Sequence, residues 1–186
     1  IDHNRGRKNS TKLGMDYLHV AVDDHSRLAF VRALADEKGT TCAKFLTAAA
    51  AFFASHGITI RQVMTDNALN YRRSRELQDA LAALNATHIL TRPYSPWQNG
   101  KAERFNRTLQ ENWAYRHAFT SNQDRLDALQ PWIDHYNYDR GHTACGGGAA
   151  TAQPKPEEAK PAETKPAEAE KVGGFQIPEA QEGKTN

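Results

Sequence analysis

The stretch Arg92-Pro93-Tyr94-Ser95-Pro96-Trp97-Gln98-Asn99-Gly100-Lys101-Ala102-Glu103-Arg104-Phe105-Asn106-Arg107-Thr108-Leu109 decides how the rest of this chain is read. It opens as a loop, because Pro93 and Pro96 have no N–H to give to a helix or a ladder. Beyond it, Ala102, Phe105, Leu109 and Trp113 recur at spacings of 3, 4 and 4. That is one apolar stripe of a helix expected from about Gln98 to His117. Glu103 sits one turn in, at the border of the stripe with Asn106 and Gln110, while Lys101, Arg104 and Arg107 share the same turns. A carboxylate among cations, on a helix reached through a proline loop, suits a metal ligand beside a phosphate backbone. The same residue types also make an ordinary solvated helix start, where the helix dipole favours an acid.

Working outward, Ile58–Met64 (ITIRQVM) reads as a strand that ends in Thr65-Asp66-Asn67. Functional groups of open α/β sheets gather at the carboxyl ends of strands, although an Asp there serves equally well as a turn cap. Tyr17–Val22 and Leu28–Leu34 read as a hairpin around Asp23-Asp24-His25-Ser26, with the first strand buried on both faces. Gly39-Thr40 offers a stop and an N-cap before an Ala-rich helix from Cys42 to Phe53. Ser74 caps a further helix carrying Leu77, Leu81 and Leu84, and His88–Leu90 is a short strand. Ser121-x-x-Asp124 resembles a capping box for a last helix with Leu126, Leu129, Ile133 and Tyr136, which Pro131 should kink or split. The order β-β-α-β-α-β-α-α is that of an α/β fold, a mixed sheet flanked by helices.

The 186 residues divide unevenly. Residues 149–186 hold five Lys, seven Glu, five of the eight prolines and one of the 16 aromatics, leaving a body with net charge +4. The expected organisation is a basic arm over 1–14, a core over 15–147, and a Gly linker with a disordered Pro/Glu/Ala/Lys-rich tail over 148–186. Two distant cysteines, Cys42 and Cys145, exclude a disulfide framework or a cysteine-rich zinc site, and the eight histidines show no metal spacing. His19, in an apolar strand, is expected as a satisfied core histidine. No stretch is long and apolar enough to span a bilayer, and a reducing, cytoplasmic setting is expected. Trp97 in the loop is the better base-stacking candidate, while Trp113 and Trp132 read as core.

With these residues in view, the motif Tyr94, Pro96, Asn99-Gly100-x-x-Glu103-x-x-Asn106 resembles the last catalytic motif of the integrase core shared by insertion-sequence transposases and retroviral integrases. Thr65-Asp66-Asn67 is similar to that family's second carboxylate motif, 36 residues intervening before Glu103 where the usual pattern has 35. Tyr17–Phe30 resembles its second and third strands. Tyr136-Asn137-Tyr138-Asp139-Arg140-Gly141-His142-Thr143-Ala144 resembles the transposase ending, with Gly141 where that ending has Pro.

The resemblance implies a ribonuclease H-like, five-stranded mixed sheet with helices on both sides. It implies three carboxylates holding two Mg²⁺ ions, which Mn²⁺ can replace, for cleavage and strand transfer of DNA ends. Asp66 and Glu103 would be the second and third ligands. Asn99, Lys101, Arg104 and Arg107 would be DNA contacts. Partners would be transposon ends, target DNA and further copies of the chain, with association to the nucleoid when DNA is bound. The first carboxylate has no counterpart in a strand pattern. It is expected on a strand upstream of Ile1, with Asp2 as the fallback, so weak or no strand transfer is expected. A DNA-binding remnant without activity and a plain metal-dependent nuclease are the competing readings.

Overall fold

The computed structural model describes residues 15–92, 96–116, 118–151 and 175–178. Strand β1 (Met15–Val22) turns back through residues 23–28 into β2 (Ala29–Leu34), an antiparallel hairpin in which Val20 faces Val31 and Ala21 faces Phe30. The turn is set by Asp23. Its carboxylate accepts from the backbone N–H and the hydroxyl of Ser26, at 2.7 and 2.8 Å. Arg27 then adopts a left-handed φ of 70°, and the Asp23 N–H closes the turn on the Leu28 carbonyl.

Alternation along these strands separates two packing faces, as a period of two requires. Leu18, Val20 and Val22 of β1, with Ala29, Val31 and Ala33 of β2, face the helix α4 (Gly100–Leu109) and its continuation. Phe105, Leu109 and Trp113 come from that side, and α6 (Leu129–Asp134) adds Leu129 and Ile133. On the opposite face Ala21 and Phe30 meet Phe45, Ala49, Phe52 and Phe53 of α1 (Gly39–Ser55). The hairpin is thus covered on both sides, as its apolar run requires. A third cluster joins Cys42 and Leu46 of α1 to Leu77 and Leu81 of α3 (Arg75–Ala83), with α2 (Leu69–Arg72) between β3 and α3.

The sheet differs from the expected five strands. β3 (Gln62–Thr65) and β4 (Thr87–Leu90) form a separate two-stranded parallel pair, with Met64 opposite Ile89. Among the described residues no strand bridges β1 and β3. β3 is also shorter than expected, because Ile58 and Ile60 pack against the helical clusters instead of pairing. The third strand of the hairpin's sheet is β5 (Phe175–Pro178), antiparallel to β1 over Met15–Leu18. β5 is a described part of the segment expected as a disordered tail. The arm over 1–14, and with it Asp2, lies outside the described residues, as do 152–174 and 179–186.

Helix ends follow their local chemistry closely. Ser74 accepts from the Leu77 N–H at 3.0 Å, and Ser121 from the Asp124 N–H at 3.1 Å. The last helix does split, into α5 (Asn122–Asp127) and α6, with Pro131 in the first turn of α6 where a missing N–H costs little. α1 begins at Gly39 rather than at Cys42 and has no side-chain cap from Thr40. Helix α4 begins at Gly100, after a single 3₁₀ turn at Pro96–Asn99, not at Gln98. Both α4 and α6 run on into π-helical turns, Gln110–Ala114 and His135–Asp139.

The three glycines expected as a linker close a turn instead. Gly146 and Gly147 have φ of 64° and 89°, and the Gly147 N–H and Gly148 carbonyl both bond the backbone of His142. Ala150 is buried beneath Phe30 and Phe53, so the folded body extends past residue 147. At Gly141, a Cβ would lie 2.6 Å from the Gly147 carbonyl oxygen, which explains glycine there.

Asn137 joins the two ends of this body. Its side chain, 1 % exposed, accepts from the Ala29 N–H at 2.9 Å and donates to the Ala29 carbonyl at 2.8 Å. A buried amide pair left without partners costs about 1–3 kcal/mol per group. Asn137→Ala should therefore lower the unfolding free energy in urea by about 2–4 kcal/mol, and Asn137→Asp, which cannot donate, should not restore it. A loss below about 0.5 kcal/mol in Asn137→Ala would contradict this role.

Candidate active site

Asp66 follows β3 directly and Glu103 lies in the first turn of α4. Two contacts stitch the end of β3 to the segment that leads into α4. The Thr91 N–H donates to the Thr65 carbonyl at 3.0 Å, and the Asn67 amide donates to the Thr91 carbonyl. The Arg92 N–H then donates to the Gln98 side-chain carbonyl at 2.7 Å, holding the 3₁₀ turn before α4. A fourth contact ties α4 to the hairpin: Lys101 forms an ion pair with Asp24 in the β1–β2 turn. The hairpin turn is therefore brought to the start of α4. The carboxyl end of β3 is linked through Thr91 and Arg92 to the turn that opens it.

Asp66 is exposed, and one of its oxygens accepts from the Ala68 N–H at 2.9 Å, the turn-capping bond allowed for by its sequence context. Glu103 is exposed and makes no hydrogen bond or ion pair among the described residues. Nothing links the two carboxylates directly. Asn99 precedes α4 but caps nothing with its side chain. Arg104 and Arg107 are exposed without an ionic partner among the described residues, whereas Lys101, expected to face DNA, is already engaged by Asp24. The side chain of Trp97 and residues 93–95 lie outside the described residues. Asp16 is held at 3.0 Å by the buried Arg125 and Asp23 by Ser26, both structural roles.

Behind Asp66 lies a directional chain that sequence reasoning missed. The Gln78 amide nitrogen reaches the Tyr71 carbonyl at 3.4 Å and His88 Nδ1 at 3.1 Å. The Nδ1 atom accepts, so Nε2 carries the hydrogen and donates to the Thr65 hydroxyl at 2.9 Å. That hydroxyl donates onward to the Asp66 carbonyl at 3.0 Å. Burial lowers the pKa of His88, which favours the neutral ring this chain of bonds requires. Its members are 10 and 23 residues apart, so no local spacing signals it.

Metal fit can be judged on donor chemistry. Among the described residues no group of three or more His, Cys, Asp or Glu side chains could hold a metal ion. Two dications need several anionic oxygens. Asp66 and Glu103 alone do not fit a two-metal centre.

The fold is a mixed α/β core of helices packed on small sheets. Two models described as "Integrase core domain" match residues 8–96 and 84–149, and the chain belongs to the integrase core domain family. It is 32% identical over 152 residues to the Gag-Pro-Pol polyprotein of mouse mammary tumor virus, covering 76% of this chain and 8% of that polyprotein. Among solved structures it is similar to the simian T-cell lymphotropic virus intasome in complex with the PP2A regulatory subunit B56 gamma. There the TM-score is 0.59 at 25% identity, over 82% of this chain and 55% of that one. It also resembles the catalytic core domain of BIV integrase, with a TM-score of 0.55 at 20% identity over 73% and 82%. The chain spans about half of the first structural neighbour and a small part of the polyprotein. The family-level expectations of an α/β, ribonuclease H-like integrase core hold.

His19, expected as a satisfied core histidine, is buried at 1% exposure against Phe45, 4.9 Å between ring centres, but its Nε2 has no hydrogen-bond partner among the described residues. Burial drives its pKa from 6.5 to about 3, with Asp36 opposing. The unfolded chain then takes up the proton first as pH falls. The stability is fully present above pH 6.5 and is lost below it, by about 1.4 kcal/mol per pH unit until the folded ring also titrates. Urea unfolding at pH 7 and pH 5 should show a larger acid loss in the wild type than in His19→Leu. Equal losses would contradict the burial of a neutral ring.

Proposed function

We propose that this chain is the DNA-processing core of a transposase or integrase. In this reading Asp66 and Glu103 are the second and third acids of a three-acid centre, with Mg²⁺ or Mn²⁺ as the metal of the complete enzyme. The observation that carries it is the start of α4. There an unpaired Glu103 stands beside Arg104 and Arg107, which have no ionic partner among the described residues, on a helix tied to the hairpin turn and to β3. Free guanidinium groups along one helix suit backbone phosphates, and phosphate contacts position the strand without reading its sequence. Assembly into multimers that hold two DNA ends belongs to the same reading, with the viral intasome as the neighbour that motivates it.

A second reading, DNA binding without chemistry, is favoured by one specific observation: no third acidic side chain joins Asp66 and Glu103 among the described residues. The two readings share the DNA surface and differ in turnover, so one experiment addresses both. A labelled 20-base-pair duplex is titrated with the chain, and the same duplex is offered for 3′-end joining in Mg²⁺. Arg104→Glu with Arg107→Glu should weaken binding by at least about tenfold and flatten the salt dependence by a slope of about 2. Asp66→Asn should bind as the wild type does. Joining should be weak or absent. An unchanged affinity in the double variant would overturn the DNA surface, and robust joining abolished by Asp66→Asn would overturn the incomplete centre.

A further inference from the structure

Both π-helical turns among the described residues line one cleft. Gln110–Ala114 contributes Asn112 and leads to Arg116, His135–Asp139 contributes His135 and Tyr136 and leads to Arg140, and Trp132 of α6 completes it. π turns are rare because they loosen helical bonding, and they recur where side chains must be re-aimed for function. Two of them converging on one cleft is unexpected from packing alone.

The lining has a definite chemistry. Trp132 and Tyr136 stack at 5.5 Å with 27° between their planes, and the Arg140 guanidinium carbon lies 5.6 Å from the Tyr136 ring centre. Arg116 and Arg140 are exposed, and neither has a carboxylate partner among the described residues. Of the nearby acids, Asp139 lies 3.4 Å from the lining His135, and Asp134 accepts from Gln130 at 2.8 Å. Arg140 over the Tyr136 ring, with Arg116 lining the same cleft, offers two guanidinium forks suited to phosphate oxygens, and the half-buried Trp132 lies beside them. Nine residues, about two and a half helical turns, separate Glu103 from Asn112, so the cleft opens on the side of α4 away from Glu103, where Phe105 meets Trp132 and Tyr136.

We propose that this cleft is a second phosphodiester-binding site, in which Arg116 and Arg140 grip a DNA backbone on the face of α4 turned away from Glu103. It rests on the DNA-processing reading and extends it: besides the strand met at the start of α4, a second stretch of backbone lies across the far side of that helix and α6. Stacking on Trp132 would favour a frayed or distorted backbone at that point over a regular duplex.

The test uses the full chain and the 20-base-pair duplex, with affinity measured by anisotropy from 50 to 200 mM salt. Arg116→Gln with Arg140→Gln should reduce the salt slope by about 2, since each released phosphate contact contributes roughly 0.9. Arg116→Lys with Arg140→Lys keeps the charge and should retain most of the slope. Both arginines are exposed, and circular dichroism of each variant checks that the fold persists. A Gln pair with the wild-type slope overturns the site. So does a loss shared equally by the Lys pair, or displacement of an acidic peptide copied from residues 155–171 with DNA binding unchanged. Should the wild type itself not bind the duplex, the DNA-processing reading falls and the site with it. If instead Arg104→Glu with Arg107→Glu weakens binding while the Gln pair does not, the reading stands and only this site fails.

Discussion

The bond pair between Asn137 and the backbone of Ala29 is the constraint on which the rest of the structure depends. A side-chain amide here stands in for a neighbouring strand, satisfying both the donor and the acceptor of a buried residue at the start of β2. The two residues lie 108 apart, so one interaction fixes the carboxyl-terminal helices against the hairpin. The Asn137 carbonyl in turn accepts from the Ala150 N–H, locking the glycine turn and placing Ala150 beneath Phe30. Without this clamp the apolar face of Leu18, Ala29 and Val31 would have no fixed cover, and α4 would have no fixed platform.

A platform of this kind determines what Glu103 can do. Phe105 and Leu109 are buried against the hairpin, which leaves Glu103, Arg104 and Arg107 on the outward side of the same turns. Lys101 is spent on Asp24, and that ion pair orients the helix start more than it offers charge to a ligand. The pair is exposed, so its contribution to stability is small, on the order of a few tenths of a kcal/mol. Asp66 is held by backbone bonds and by the Gln78–His88–Thr65 chain behind it, which fixes the strand end without touching the carboxylate. The result is two acids on well-supported elements, with the centre around them incomplete among the described residues.

Much of this was legible where the signal is local. The Asp23–Ser26 turn, the caps at Ser74 and Ser121, and the stripe of Phe105, Leu109 and Trp113 each rest on contacts a few residues apart, and spacing reports such contacts directly. Features built from distant partners left no trace in the spacing. The Lys101–Asp24 pair spans 77 residues, and the histidine chain behind Asp66 draws on three separate elements. Ile58 and Ile60 have the composition of a strand yet serve as packing, because apolar β-branched residues satisfy either role. Gly146–Gly148 have the composition of a linker yet close a turn, since positive φ serves both. The split of the expected five-stranded sheet into three and two strands is a property of pairing between segments, which no single segment encodes.

The central claim is that α4 and the end of β3 form the surface that meets DNA. It is tested most directly by recording amide NMR spectra of the isotope-labelled chain during titration with a short duplex. The largest shift changes should fall on Asp66 and Asn67 and on residues 98–107, with the α1 face little changed. Shifts confined to α1 and α3, or none at saturating duplex, would contradict it.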